Sequence, residues 1–297
     1  MLIALLVPLG LAVLVFAWVL LRAAIAKRAV PKIEAMAVGA IVCFFDTLGI
    51  GSFAPTTAWL KFRRIVPDRL IPPTMLVGLT PPSMAEAAIF LVILGVLVDP
   101  VLLVGCVIAL LMGGLMGAPL VAKTRVWIVQ LVVGIALVLA AAAYAMTNLH
   151  MFPAGGTANS LPVGLMVVAI AMNFVIGILL NFGVGNYAPT LVMLSLMGMD
   201  PRLCFSIMAG GAALTGAGAS IRHIQIGQID LRIVLGLAIG GIPAVFLAAF
   251  IVKTMPLETL RWLVIVVVLY AAAVMFRAAM MGRREHKAEA ATAPLVT

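Results

Sequence analysis

The chain carries Gly49-Ile50-Gly51-Ser52-Phe53-Ala54-Pro55-Thr56 and, 134 residues later, Gly183-Val184-Gly185-Asn186-Tyr187-Ala188-Pro189-Thr190. The two octapeptides share Gly, Gly, Ala, Pro and Thr in register. Each interrupts an apolar segment, 35–60 in the first case and 162–199 in the second. The second segment is too long for a single crossing of a hydrocarbon layer about 30 Å thick, which takes about 20 residues.

Working outward, the likeness continues. Pro67 with Arg69-Leu70 recurs as Pro201 with Arg202-Leu203, and Leu79-Thr80 as Leu214-Thr215. Asp99 recurs as Asp230, and Lys123-Thr124 as Lys253-Thr254. Matches in this order, on both flanks of a shared octapeptide, argue for duplication over chance likeness among apolar runs. The expected organisation is a first helix and linker over 1–33, one repeat over 34–147 and a linker over 148–161. A second repeat covers 162–281, and a cytoplasmic tail, expected to be disordered, covers 282–297.

Composition sets the solvent. Hydrophobic residues make up 65% of the chain and charged residues 10%, against about 45–50% and about 25% in soluble domains. Nine apolar segments can be marked: 2–21, 35–60, 74–97, 100–121, 126–147, 162–199, 203–220, 232–252 and 260–281. The first has no basic residue before Arg22, so it reads as an uncleaved span and not as a signal peptide. The net charge of +9 sits between apolar runs, where it sets topology and does not indicate nucleic acid. Cys43, Cys106 and Cys204 are far apart and read as small packing residues. The 18 methionines are scattered, and His150, His223 and His286 lack neighbouring ligands, so no metal and no cofactor is expected.

Cytoplasmic loops of membrane proteins carry the excess of Lys and Arg. If all nine segments crossed the membrane, the count would be 10 inside and 9 outside. If the two broken segments enter and return on the same side, it becomes 16 inside and 3 outside. The fold expected is therefore an all-α polytopic membrane protein. It has seven transmembrane helices, two re-entrant helical hairpins and two inverted-topology repeats. Its N-terminus lies outside and its C-terminus in the cytoplasm, in a plasma membrane of bacterial type. An arm of about 12 residues rises about 18 Å, enough to reach the midplane.

Non-helical backbone at membrane depth is tolerated only where protein buries it or water reaches it. Two breaks meeting from opposite sides thus imply a central site, a recurring plan among transporters. Gly49, Gly51, Gly183 and Gly185 suit a tight reversal and let a ligand approach the backbone. Ser52 and Asn186 are suited to cap the returning arms, and Pro55 and Pro189 fall early in them. Thr56 and Thr190 add hydroxyls. Two helix N-termini with free N–H groups favour an anion, and Arg and Lys occur only near the ends of the spans, away from the midplane where they could hold it. An isolated Gly-x-Gly reads as helix packing; its duplication argues for a site. Gly113-Gly114 and Gly240-Gly241 read as packing.

Acids within a membrane are costly and usually functional. Asp46 precedes the first break and Glu86 lies in segment 74–97. Each could carry a coupling proton, or could pack the hairpin and bond a neighbouring hydroxyl. Asp46 has Asn181 near its counterpart position. Asn173, Asn181 and Gln130 either line the cavity or bridge helices. No nucleophile–base pair, zinc motif or phosphate loop stands out, so an enzyme is not expected.

The paired breaks, each with a Pro four residues after the second glycine, resemble the TauE/SafE family of membrane transporters, the sulfite exporters. That family has a Gly-x-Gly-Gly-Gly-type break in each half and an Asp-containing loop ahead of a Gly-rich span, similar to Gly227-Gln228-Ile229-Asp230. The resemblance covers residues 34–281. It implies movement of sulfite, or of sulfonate, other organosulfur or carboxylate anions. Here Ser52-Phe53 and Asn186-Tyr187 stand where the family has further glycines, so a bulkier, more polar site is expected, shaped or gated by Phe53 and Tyr187.

The function expected is a secondary transporter of a small anion working by alternating access, with proton coupling through Asp46 or Glu86. An anion channel of the same architecture would show flux that neither saturates nor runs uphill. A membrane enzyme or assembly subunit would tolerate Gly51→Leu and Gly185→Leu. The lipid bilayer is the other partner.

Overall fold

The computed structural model describes residues 2–48, 51–67, 70–94, 97–121, 125–149, 156–180 and 184–292. Gly49, Arg69, Lys123, Thr124, His150, Asn181 and Gly183 lie outside them. Among the described residues eleven helices follow in order: α1 (Leu2–Ala26), α2 (Ile33–Thr47), α3 (Phe53–Arg63), α4 (Ile71–Ile93), α5 (Pro100–Val121), α6 (Val126–Asn148), α7 (Val163–Leu180), α8 (Tyr187–Leu196), α9 (Pro201–Ile226), α10 (Leu231–Thr254) and α11 (Leu257–Thr292). Among the described residues there is no strand, only an isolated bridge between Ala158 and Met199.

The helix starts follow the repeat. Asp99 accepts the N–H groups of Val101 and Leu102 at 2.9 and 3.0 Å and so opens α5. Asp230, its counterpart, does the same for Arg232 and Ile233 at the start of α10. A carboxylate there satisfies N–H groups that have no partner within the helix and meets the positive end of its dipole. Gly227, at φ 76, ends α9 in the left-handed conformation.

Among the described residues seven helices are long and apolar enough to cross a membrane, and the chain is a multi-pass membrane protein. They include α7, expected only as the first arm of a hairpin; at 18 residues it rises about 27 Å. The 23 residues of α6 rise about 34 Å. Large apolar side chains of α1, among them Leu11, Leu14 and Ile25, are exposed, as expected of a lipid-facing helix. The tail departs from expectation, because α11 continues to Thr292. Residues 283–291 are Arg, Glu, His, Lys and Ala, mostly strong helix formers, and they extend the helix that precedes them.

Helix pairing carries the arrangement. The principal pairs are α2 with α10, α5 with α7, α4 with α9 and α6 with α11. Exchanging α2–α6 for α7–α11 maps these four pairs onto themselves. Helices α2 and α10 run side by side in the same direction. Lys32 donates its N–H to the Arg232 carbonyl at 3.1 Å, and a Cβ on Gly39 would stand 2.5 Å from the Leu237 carbonyl oxygen. On α10, Gly240 lies against the Met36 backbone. In the same way Gly113 of α5 abuts the Phe174 backbone and Gly177 of α7 abuts that of Leu110. Small residues at these seams let the backbones touch.

Both broken segments reverse. Glu34, at the start of α2, accepts from Arg63 Nε at 2.7 Å and Trp59 Nε1 at 3.1 Å, so the end of α3 lies beside the start of α2. Ala158, ahead of α7, pairs with residues 198–200 beyond α8: its N–H bonds Gly198 at 3.2 Å and its carbonyl takes the Asp200 N–H at 2.9 Å. The first mouth is level with the start of α4, where Thr74 Oγ1 accepts the Asp230 N–H at 3.0 Å. The second is level with the start of α5, where Asp99 donates to Asn159 at 3.0 Å. Helix α4 runs from one to the other, so the mouths lie at opposite ends of its 23 residues.

Candidate functional site

The two tips reach the middle of α4. Gly241 of α10 is flanked by Pro82 and Cys43, a Cβ there meeting Pro82 Cγ at 2.5 Å and Cys43 Sγ at 2.7 Å. Cys43 lies one turn before the end of α2 at Thr47. Tyr187, just past the second, donates its hydroxyl to Glu86 Oε1 at 2.8 Å. Pro82 and Glu86 are one turn apart, about 6 Å.

At the first tip Gly51 has φ 87, a conformation that side-chain-bearing residues rarely adopt. Ser52 takes the position before α3, but its side chain does not cap that helix. Its hydroxyl donates to Asp46 Oδ2 at 2.8 Å and its N–H to Asp46 Oδ1 at 3.0 Å. Thr56 is buried and donates to the Ser52 carbonyl at 2.7 Å. Phe53 is half exposed and Pro55 partly buried. Asp46 is thus drawn into the tip.

At the second tip Gly185 is exposed and does not have positive φ. Asn186 is buried and likewise does not cap its helix; its amide donates to the Met208 carbonyl of α9 at 3.0 Å. Thr190 donates to Asn173 Oδ1 at 3.3 Å, and Asn173 Nδ2 donates to Ala169 at 2.9 Å, which ties α8 to α7. Asn173 therefore bridges helices. Pro189 is partly buried and Tyr187 half-buried. Glu86 is 1% exposed.

The structure gathers Asp46, Ser52, Glu86 and Tyr187, and the charges of Asp46 and Glu86 and the Tyr187 hydroxyl lie within electrostatic reach of one another. Among the described residues no basic side chain acts on either acid. The hydroxyl hydrogens of Ser52, Thr56, Thr190 and Tyr187 are committed within the protein. Beside Gly51 and Gly185, ahead of α3 and α8, an added Cβ would meet nothing within 4 Å. Two contacts escaped sequence reasoning. Thr80 and Ser220 share a buried hydrogen bond of 2.7 Å between α4 and α9, and the Met208 carbonyl holds Asn186. Thr80 carried a signal as a repeated position; a backbone carbonyl carries none. Among the described residues no cluster could hold a metal ion.

Comparison with known proteins gives one family. Neither the curated proteins nor the solved structures compared contain a match. The model of the family described as Sulfite exporter TauE/SafE matches residues 163–297, which take in α7 to α11 and the break at Asn186-Tyr187. The matched stretch is the second half of the chain, and the family is the one that the paired breaks resemble.

Proposed function

We propose that this protein is a secondary transporter that moves a small sulfur-containing anion across the membrane by alternating access. In this reading α2–α3 and α7–α8 are re-entrant hairpins of two inverted repeats, over 34–147 and 162–281, and the solute binds between their tips. The carrying observation is that the hairpin mouths lie at opposite ends of α4 while the tips meet at its middle. A site reached from both faces is what alternating access requires. The family match over 163–297 supports a sulfur anion such as sulfite or a sulfonate.

Two helix ends facing the tips supply positive dipole ends and free N–H groups to an anion. Gly49 and Gly183 complete the breaks in this reading. Asp46 and Glu86 sit at that point with no basic partner among the described residues, which supports proton coupling: an uncompensated carboxylate beside a bound anion is repelled by it. The positive-inside count supports a cytoplasmic α2–α3 mouth and C-terminus and an N-terminus outside.

The test is uptake of radiolabelled sulfite and methanesulfonate into proteoliposomes under a pH gradient. Saturable uptake in the wild type, lost in Gly185→Leu with the fold intact, supports the reading, because that side chain would project into open space. Flux that neither saturates nor runs uphill would make the protein a channel.

A further inference from the structure

The start of α3 already holds an anion. Asp46, at the end of α2, places one carboxylate oxygen 3.0 Å from the Ser52 N–H and the other 2.8 Å from the Ser52 hydroxyl. Both donors belong to the residue that precedes the first turn of α3. The carboxylate therefore occupies the place to which the positive end of this helix would draw a solute anion.

The start of α8 is different. Asn186 stands where Ser52 stands, and it turns away to the Met208 carbonyl. Near the position equivalent to Asp46 the sequence has the neutral Asn181. Among the described residues, the groups that face Asp46 are Ser52 on its own hairpin, Cys43 on α2, Glu86 on α4 and Tyr187 on α8. None is basic, so no side chain among them neutralises it.

Building on the anion-transport reading, we propose that Asp46 is a tethered stand-in for the solute. Its carboxylate fills the end of α3 while the site is empty and must take up a proton and withdraw before the anion can bind there. A negatively charged Asp46 and a negatively charged solute compete for the same donors. Protonation removes both the competitor and the repulsion. One proton is then bound for each anion, no bond of the solute is made or broken, and the loaded site gains no net charge. Coupling arises from shared occupancy of one helix end, without a separate proton pathway. Asp46 is a positioning residue in this scheme.

The test is calorimetric titration of the full chain in nanodiscs with methanesulfonate, whose charge is constant from pH 5 to 9. In wild type the dissociation constant should rise tenfold per pH unit on the alkaline side, with one proton taken up per anion in buffers of differing ionisation heat. Asp46→Asn should bind at least tenfold more tightly than wild type at pH 8, and its binding should lose the proton uptake. Infrared difference spectra of wild type and of Glu86→Gln should both gain a protonated-carboxyl band when the anion binds. That readout needs no change at Asp46 and decides the matter if Asp46→Asn does not fold. Binding to wild type without proton uptake or band, or a band lost in Glu86→Gln, would overturn the role of Asp46 and leave the anion site standing. No binding of methanesulfonate or sulfite to wild type at any pH would overturn the anion reading and this inference with it.

Discussion

The two hairpins share a motif but are held differently. The tip of the first closes on itself, with Ser52 and Asp46 bonding within one hairpin. The tip of the second is bonded to the scaffold, Asn186 to α9 and Tyr187 to α4. The mouths differ in the same sense. The first is held by side chains, with the Glu34 carboxylate between Lys32, Arg63 and Trp59, and the second by backbone hydrogen bonds at Ala158. Helix α8 buries Ala188, Thr190, Leu191, Val192, Leu194 and Ser195, whereas α3 with its preceding residue buries Ser52, Thr56 and Leu60. An inherited sequence pattern thus dictates where the chain reverses, while its partners decide how firmly each reversal is held. The first hairpin is the softer of the two and the better suited to move.

The comparison can be broken or sharpened by substitution. The largest effect is expected where the halves are alike, at the helix seams. Gly240→Val and Gly113→Val each drive a side chain into facing backbone. The cost exceeds the roughly 1–3 kcal/mol of ordinary overpacking. Both should lose folded protein to a similar degree by size-exclusion chromatography, and a large difference would break the symmetry of the scaffold.

Next comes Tyr187→Phe, which gives the second tip the residue of the first. It removes a donor from a buried carboxylate, a loss of about 1.5–3 kcal/mol for a charged acceptor. Solute uptake should fall about tenfold or more if that bond sets the geometry of the site. Phe53→Tyr, at the half-exposed counterpart, should change uptake little.

A smaller contrast is expected at the glycines. Gly51→Ala forces a side chain into positive φ and should lower stability by about 1–2 kcal/mol. Gly185→Ala, with ordinary φ and open space around it, should be near neutral in the same thermal melt. The smallest effect belongs to Glu34→Gln, which loosens an exposed ion-pair cluster. It should modestly speed thiol labelling of a cysteine placed at position 62 and leave the second hairpin unchanged.

The sites of reversal were legible in the sequence because two glycines and a proline mark a break in any apolar run. The caps Asp99 and Asp230 were legible as a repeated pair, since each must satisfy the same unpaired N–H groups. Residue preference suits Ser52 and Asn186 to cap their helices, but donation to a carboxylate six residues away and to a carbonyl of α9 holds these side chains where they cap no local N–H group. The bond from Tyr187 to Glu86 joins residues 101 apart, and no local pattern encodes it. The helical tail was missed because polarity was read as disorder, although helix propensity favours extending a helix already formed.

Sided thiol labelling tests whether the hairpins open to opposite faces of the membrane. The native cysteines at 43, 106 and 204 are buried and would be replaced by Ala. Single cysteines would then be placed by Phe62→Cys near the end of α3 and Leu196→Cys at the end of α8, where the native side chains are 85% and 41% exposed. A membrane-impermeant maleimide should label position 62 only from the cytoplasmic face and position 196 only from the other. Labelling of both from the same face would contradict the inverted arrangement and the two-sided site built on it.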